Sequence, residues 1–262
     1  MRNLKSIRNL AAVIALTFAA PRGAVALESR TLHADQDDYR VVIVDLAQDA
    51  LALYWRDAGG DPYRNIEALK RSAEADQREL LFATNAGMYD REYRPLGLTI
   101  ADGRVLRPLN PARSSGSAGN FGLQPNGIFY VDRQGQAGVI ATSAWTAQHI
   151  DALVATQSGP MLVIDGEVNP GFLENSDSRK WRSGVCAETP GRVVFAVSET
   201  PVTFHSFAEV FRDKLGCRDA LYLDGTLSQI YTAADGYAGA PDVMVKPYAG
   251  MLAVFASKPA SR

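Results

Sequence analysis

The stretch LVATQSGPMLVIDG, residues 153–166, shows the pattern that decides the fold. Two short apolar runs, 153–157 and 161–164, flank a Ser-Gly-Pro break, and Asp165-Gly166 follows as a turn. Runs of this length, rich in Val, Ile and Leu and bounded by turn residues, are typical of buried β-strands. The stretch therefore predicts a core of short strands joined by tight turns.

The same pattern recurs on both sides of this stretch. Asp102-Gly103 separates the apolar runs 96–100 and 104–106, and Asp-Gly in this setting is a strong signal for a two-residue hairpin. Two more hairpins are predicted, one joining 40–45 to 51–55 and one joining 127–132 to 138–142. Further strands are predicted at 79–84, 193–198, 220–223 and 251–255.

Two substantial helices are predicted among about a dozen strands. The first is expected to open at Asp61-Pro62 and to bury a stripe formed by Ile66, Leu69 and Ala73. The second spans Phe204–Leu215. Strands and helices do not alternate regularly, and no linker or repeat divides the chain. The sequence therefore predicts a single α+β domain with a mixed or antiparallel β-sheet core.

Composition excludes several classes of protein. The chain has 262 residues, of which 47% are hydrophobic and 21% charged, and these values are ordinary for a globular protein rather than a disordered or fibrous one. The formal net charge is −2, so a basic nucleic-acid-binding protein is not expected.

Residues 1–26 have the features of an export signal. Arg2, Lys5 and Arg8 precede an apolar run of 11 residues, 10–20, which is too short to span a bilayer. Ala24-Val25-Ala26 is a small-residue cleavage site, so the expected mature domain is 27–262. Its net charge would be −6, from 23 basic and 29 acidic residues. We expect a periplasmic or secreted protein with no membrane span after signal removal.

The chain has two cysteines, Cys186 and Cys217, and neither belongs to a C-x-x-C motif or a metal-ligand spacing. In an oxidising compartment they could form one disulfide, and the sequence leaves open whether they do. The three histidines are scattered along the chain, which argues against a His-rich zinc site. We expect no cofactor, although Asp224 and Asp165 leave a divalent cation such as calcium open.

Polar residues at the ends of predicted strands are the candidates for chemistry. Asn85 and Gln157 each end a strand, and Asp224-Gly225 follows the most apolar short strand in the chain. Small ligands are often bound at such strand ends. Each residue also has a structural interpretation: Asp224 and Asn85 are common in turns, and Arg182 lies in a polar loop where most arginines are solvated. The residue pattern alone leaves both interpretations open.

Segments at these residues resemble the phosphodiester glycosidase family, which includes the catalytic domain of the lysosomal uncovering enzyme and many exported bacterial proteins. Six matching segments follow one another in the family order over roughly residues 38–256. They are Asn85–Tyr89, Pro95–Leu98 with Asp102-Gly103, Asn120-Phe121 with Pro125–Phe129, Gln157–Leu162 with Asp165-Gly166, Arg182–Cys186, and Leu223–Gly225. The chain departs from the family where glycines are replaced, at Ala86, Thr226 and Cys186, so the resemblance specifies the fold more closely than the substrate.

The resemblance implies an exported hydrolase that releases a sugar, similar to N-acetylglucosamine, from a sugar-1-phosphodiester. Cleavage needs stabilisation of an oxocarbenium-like centre while a phosphate monoester leaves. We expect Asp224 to support the anomeric centre and Arg182 to hold the phosphate in its guanidinium fork, with Arg179 as the reserve. The expected substrate-binding residues are Asn85, Gly87, Asn126, Gln157, Ser158, Gly159, Arg179, Gly225 and Ser228.

Two other functions remain open. The same pocket could belong to a non-catalytic envelope protein that binds a carbohydrate or phosphosugar. A glycosidase on ordinary polysaccharide would need a second carboxylate, for which Glu167 and Glu188 are the candidates. The expected partner is a small-molecule or polymeric glycan phosphodiester substrate, and no nucleic acid is expected.

Overall fold

The computed structural model describes residues 27–111, 119–225, 228–241 and 247–256. The predicted signal segment 1–26 lies outside these ranges, as does Thr226. Within them the chain forms three antiparallel β-sheets with a few short helices, which confirms the predicted α+β class and single domain. No helix in the described part of the chain is long and apolar enough to cross a bilayer.

The largest sheet has seven strands in the order β1-β2-β13-β12-β14-β10-β11. Its strands are β1 (Glu28–Ala34), β2 (Asp37–Asp45), β10 (Met161–Ile164), β11 (Glu167–Val168), β12 (Ser183–Thr189), β13 (Arg192–Ser198) and β14 (Ala220–Asp224). Two five-stranded sheets complete the domain. One has the order β16-β15-β4-β17-β3, from β3 (Leu51–Tyr54), β4 (Leu80–Asn85), β15 (Gln229–Thr232), β16 (Gly236–Gly239) and β17 (Met251–Phe255). The other has the order β6-β5-β9-β7-β8, from β5 (Thr99–Ala101), β6 (Arg104–Arg107), β7 (Gly127–Asp132), β8 (Ala137–Ala141) and β9 (Ala152–Ser158).

The main core lies where the three sheets meet. Phe195 of β13 contacts Phe82 of β4, with ring centroids 4.9 Å apart, and Phe129 of β7, with ring centroids 6.0 Å apart. All three rings are buried in one cluster with Val42 and Leu221. One residue from each sheet therefore contributes to a single apolar centre, and burial of these rings stabilises the arrangement of the sheets.

Helices cover the outer faces of the sheets. Helix α1 (Ile66–Ala75) buries Ile66, Leu69 and Ala73 as predicted. Helix α2 (Thr142–Gln148) was not predicted, and it buries no side chain completely. Helix α3 (Phe204–Glu209) continues as one π-helical turn through Val210–Lys214, within the predicted helical span, and its buried phenylalanines pack against the seven-stranded sheet.

Two local predictions are wrong. Segments 40–45 and 51–55 do not form a hairpin, because β2 pairs with β1 and β13 while β3 pairs with β17 in another sheet. Strand β2 is buried from Val41 to Val44, and β1 and β13 pair with its two edges. No edge is left for β3, so the chain leaves this sheet after Asp45. Helix α1 begins at Asn65, whose side chain accepts from Ala68 N (2.7 Å), whereas Pro62 forms an isolated β-bridge with Arg56.

Cys186 and Cys217 are joined by a disulfide, with their Cα atoms 6.1 Å apart. The bond ties β12 to the segment that leads into β14, and both cysteines are buried. It therefore braces the two strands whose other ends carry the polar cluster described next.

Candidate active site

Four strand ends bring polar residues together at one edge of the domain. Asn85 ends β4, Asp224 ends β14 and Ser183 begins β12, where it pairs in register with Asp224. Ser228 directly precedes β15. We call Asn85, Ser183, Asp224 and Ser228 the strand-end cluster. The structure thus brings together three of the residues proposed from sequence and adds Ser183.

Ser183 is the centre of the hydrogen bonding in the strand-end cluster. Its Oγ accepts from Asn85 Nδ2 (2.9 Å) and from Asp224 N (3.3 Å), and it donates to Asp224 O (3.4 Å). Ser228 Oγ donates toward Gly225 O (2.7 Å) and Asp224 O (2.8 Å). These bonds hold the backbone at Asp224 and Gly225, and none of them involves the carboxyl group of Asp224.

The carboxyl group of Asp224 lies deep among protein atoms, although the residue keeps part of its surface exposed. Burial raises the pKa of this carboxyl from 3.8 to about 6, while a hydrogen bond from Gly225 N to Oδ1 (2.7 Å) opposes the rise. No other carboxylate in the described ranges contributes to this pKa shift. Among the described residues Asp224 is therefore a solitary carboxylate, and it is mostly ionised at neutral pH.

The hydroxyl groups of Tyr222 and Tyr89 lie close enough to the Asp224 carboxyl to be affected by its charge. Burial raises the pKa of Tyr222 and of Tyr89, and in both cases the negative charge of Asp224 raises it further. Both phenols therefore stay protonated; Tyr89 donates to Pro247 O (2.8 Å), and Tyr222 accepts from Asn120 Nδ2 (3.4 Å). Gly225 must be a glycine here, because a Cβ at this position would lie 2.5 Å from the Tyr222 hydroxyl.

Arg182 is buried, not solvated in a polar loop. Its side chain is 1% exposed, and its guanidinium carbon lies 3.6 Å from the ring centroid of Phe204. Phe204 in turn packs edge-on against Tyr222, with ring centroids 4.8 Å apart. Burial lowers the pKa of the guanidinium, and Tyr222 opposes this change. The guanidinium is thus enclosed by aromatic rings on the Tyr222 side of the site.

Two of the five N–H donors of Arg182 are committed to the backbone. Nε donates to Val202 O (2.9 Å) and Nη2 to Ser178 O (2.9 Å), whereas the buried Nη1 has no partner in the described part of the chain. Two nitrogens of a guanidinium are needed to hold an anion in a bidentate fork. Among the described residues Nη1 keeps both of its N–H groups and Nη2 keeps one, so the bidentate fork expected from the sequence stays a prediction.

Three other predicted residues are occupied by contacts within the chain. Gln157 Oε1 accepts from Leu98 N (2.9 Å) and Asn110 N (3.0 Å), while its Nε2 donates to Asn110 O (2.7 Å). Ser158 Oγ donates to Leu223 O (2.9 Å), and Asn126 Nδ2 donates to Phe121 O (2.9 Å). These three side chains brace loops and strands around the site.

The two remaining glycines allow close packing. Gly87 N donates to Thr156 Oγ1 (3.1 Å), and a Cβ on Gly87 would lie 2.5 Å from Gln157 O. A Cβ on Gly159 would overlap the side chain of Asn126. The amide of Gly87 is therefore already used inside the chain.

Several charged candidates lie away from the strand-end cluster. Arg179 is exposed and donates to Asp37 (3.0 Å) and to Pro201 O (3.0 Å). Asp165 is paired with Arg218 (2.7 Å) at the opposite end of the seven-stranded sheet, roughly 17 Å along β14 from Asp224. The two aspartates cannot share one cation, and no group of three metal-ligating side chains occurs in the described ranges.

The two candidate second carboxylates also lie elsewhere. Glu188 is near the far end of β12 and pairs with Arg192 (2.9 Å), and Glu167 is exposed on β11. Neither contributes to the pKa shift of Asp224. This separation removes the candidates for an ordinary glycosidase with two carboxylates.

Ser183, Tyr89 and Tyr222 were not predicted as site residues. Tyr222 stands two residues before Asp224 and so projects from the same face of β14, and this spacing was the signal that could have identified it. Ser183 adjoins Arg182, but its importance arises from a pairing with Asp224 across 41 residues.

Comparison with known proteins agrees with this architecture. Residues 78–255 match the model of the phosphodiester glycosidase family. The chain is 35% identical over 230 residues to the uncharacterized protein YigE of Escherichia coli, covering 87% of this chain and 85% of YigE.

Two solved structures share the fold. One is the zebrafish N-acetylglucosamine-1-phosphodiester alpha-N-acetylglucosaminidase catalytic domain auto-inhibited by its pro-peptide (TM-score 0.63, 15% identity, 89% of this chain and 84% of that one). The other is a hypothetical protein from Synechocystis (TM-score 0.56, 13% identity, 88% of this chain and 62% of that one). The family-model match, which covers more than half of the chain, shows that the chain belongs to the phosphodiester glycosidase family.

Proposed function

We propose that this protein is an exported hydrolase that releases a sugar, similar to N-acetylglucosamine, from a sugar-1-phosphodiester. Asp224 supports the anomeric centre, and Arg182 contacts the phosphate. The strand-end cluster and Gly225 hold the sugar end of the substrate. Family membership supports a glycosidase acting on phosphodiester-linked sugars.

The solitary carboxylate of Asp224 is the observation that carries the proposal. A glycosidase acting on an ordinary glycoside needs one carboxyl as acid and another as base or nucleophile, about 5–10 Å apart. No carboxylate in the described ranges contributes to the pKa shift of Asp224, and the candidates Glu167 and Glu188 lie elsewhere. A phosphate monoester is a good leaving group that departs without a strong general acid, so one carboxylate suffices for a phosphodiester-linked sugar.

Arg182 supports the phosphate part of the proposal. Leaving a guanidinium buried without a counter-charge is unfavourable, and no carboxylate in the described part of the chain pairs with Arg182. Its free Nη1 is a donor that an anionic oxygen would satisfy. The phenol of Tyr222 lies close to Gly225, accepts from Asn120 Nδ2 (3.4 Å) and interacts with the guanidinium of Arg182.

The proposed reaction breaks the bond between the anomeric carbon and the phosphate oxygen. The bonding electron pair leaves with the phosphate monoester, and an oxygen from water becomes the new hydroxyl of the sugar. The ionised Asp224 either takes the proton of the attacking water or stabilises the cationic carbon directly. Both roles require the carboxylate form of Asp224.

Two features support export to the periplasm or the exterior. Residues 1–26 have the composition of a signal segment. The Cys186–Cys217 disulfide is of a kind that persists in oxidising compartments.

The test uses purified protein with N-acetylglucosamine-1-phosphomethyl ester and UDP-N-acetylglucosamine, and it measures the reducing sugar released. We expect wild type to release sugar and Asp224→Asn to lose at least about a hundredfold in rate while remaining folded, a loss typical of removing a general base. Asp165→Asn is the matched control, because it changes an Asp-Gly pair at the opposite end of the sheet. Equal rates for wild type and Asp224→Asn would refute the proposal. Binding without turnover would favour a carbohydrate-binding protein instead.

A further inference from the structure

A buried acceptor without a partner lies beside Asp224. Asn85 is 1% exposed, and its Oδ1 has no hydrogen-bond partner in the described part of the chain. A buried polar atom left without a partner costs free energy comparable to a lost hydrogen bond. Such an atom in a site indicates a group that arrives with the ligand.

The direction of the Asn85 amide is fixed by its neighbours. Nδ2 lies 3.2 Å from the carbonyl oxygen of Ala86, which can only accept, so the nitrogen and not the oxygen must face this side. Nδ2 also donates to Ser183 Oγ (2.9 Å). The amide cannot turn over without placing two acceptors against each other, and Oδ1 therefore remains an acceptor.

Ser183 reinforces this orientation. A serine hydroxyl has two lone pairs and one proton. Asn85 Nδ2, Asp224 N and Ser228 Oγ (3.1 Å) all point toward its oxygen, and its own proton is directed at Asp224 O. Ser183 thus needs a donor from Asn85 and has no proton to spare for its Oδ1.

We propose that Asn85 Oδ1 selects sugars whose substituent next to the anomeric carbon donates a hydrogen bond, and that Ser183 is the positioning residue that sets this selectivity. The inference rests on the proposed function, because it places the anomeric carbon at Asp224. An acetamido N–H or a hydroxyl satisfies Oδ1. A 2-deoxy sugar leaves Oδ1 unpaired and is bound and cleaved poorly.

The test compares kcat/KM for the phosphomethyl esters of N-acetylglucosamine, glucose and 2-deoxyglucose. Intrinsic reactivity differs among the three sugars, so the informative quantity is the change in their ratio between wild type and a variant. Asn85→Ala should reduce the preference for the donor-bearing esters over the 2-deoxy ester by about ten- to a hundredfold. Ser183→Ala should reduce it several-fold, because the amide is then less firmly held.

Thr84→Val is the matched control. Thr84 adjoins Asn85 on β4, is equally buried, and donates one hydrogen bond to Gln229 O (2.9 Å) on β15. Its replacement tests the effect of losing a buried hydrogen bond at the same place in the fold. We expect this variant to keep the wild-type ratio even if its stability falls.

Other outcomes separate the two proposals. If wild type cleaves the esters but Asn85→Ala and Ser183→Ala keep its ratio, the selectivity inference fails and the proposed function stands. If wild type cleaves none of them, the proposed function fails. In that case the selectivity is measured as the ratio of the dissociation constants of N-acetylglucosamine 1-phosphate and 2-deoxyglucose 1-phosphate. Equal affinities for the two would overturn the inference as well. So would a ratio that Asn85→Ala does not change.

Discussion

Replacement of Asp224 by Asn is expected to stabilise the fold while it abolishes turnover. Asn keeps an Oδ1 that can accept from Gly225 N, so the change removes the charge and little else. A pKa raised from 3.8 to about 6 in the folded state means that the ionised carboxylate opposes folding by at most about 3 kcal/mol at neutral pH. Because the residue keeps some exposed surface, we expect a gain of about 1–3 kcal/mol.

The stabilisation expected from Asp224→Asn depends on pH. The folded state holds the Asp224 proton more tightly than the unfolded state, so the cost is fully present above pH 6 and disappears as the pH falls through 3.8. Urea unfolding of wild type and Asp224→Asn at pH 7.5 and at pH 4 measures it. The stability difference should be largest at pH 7.5 and fall below about 1 kcal/mol at pH 4.

Asp165→Asn serves as the control for the stability prediction. Asp165 is exposed and forms a surface ion pair with Arg218, and such pairs contribute little. We expect this variant to change stability by less than about 1 kcal/mol. If Asp224→Asn were destabilising at pH 7.5, or if its effect were the same at both pH values, the carboxyl would not be held in the buried environment described above.

Three further predictions concern pH, packing and the disulfide. Hydrolysis should decline as the pH falls through about 6, because Asp224 must be ionised, and a pH profile of kcat/KM checks this. Gly225→Ala should lower stability and rate because its Cβ would meet the Tyr222 hydroxyl, and adding Tyr222→Phe should restore part of the stability in thermal unfolding. Reducing the Cys186–Cys217 bond should cost about 2–4 kcal/mol, measured by urea unfolding with and without reductant.

Local features of the fold were predictable from sequence. Asp102-Gly103 joins β5 to β6 as expected, since a two-residue turn depends on the residues within it. The buried stripe of α1 was also correct, because helical periodicity is a local property. The pairing of β2 with β13 was not predictable, since it joins segments about 150 residues apart and depends on the burial of both edges of β2.

The positions of site residues were predictable from sequence where a local pattern determines them. They were not predictable where tertiary burial of the side chain determines them. Asp224 follows a fully apolar strand, so its place at a strand end was readable from sequence. Arg182 lies in a polar stretch, and its guanidinium is buried against Phe204, which is 22 residues later in the chain. No local pattern around Arg182 indicates this contact. Gln157 looked like a ligand-binding amide, but it is fully used in holding the loop at Leu98 and Asn110, a role set by tertiary contacts.

The claim that this protein is a glycosidase acting on a phosphodiester-linked sugar is tested most directly by hydrolysis in ¹⁸O-labelled water. Cleavage at the anomeric carbon places the label in the released sugar, whereas cleavage at phosphorus places it in the phosphate. Mass spectrometry of the products of N-acetylglucosamine-1-phosphomethyl ester distinguishes the two. We predict label in N-acetylglucosamine alone, in a reaction lost in Asp224→Asn. Label in the phosphate product would contradict the role given to Asp224 and identify a phosphodiesterase.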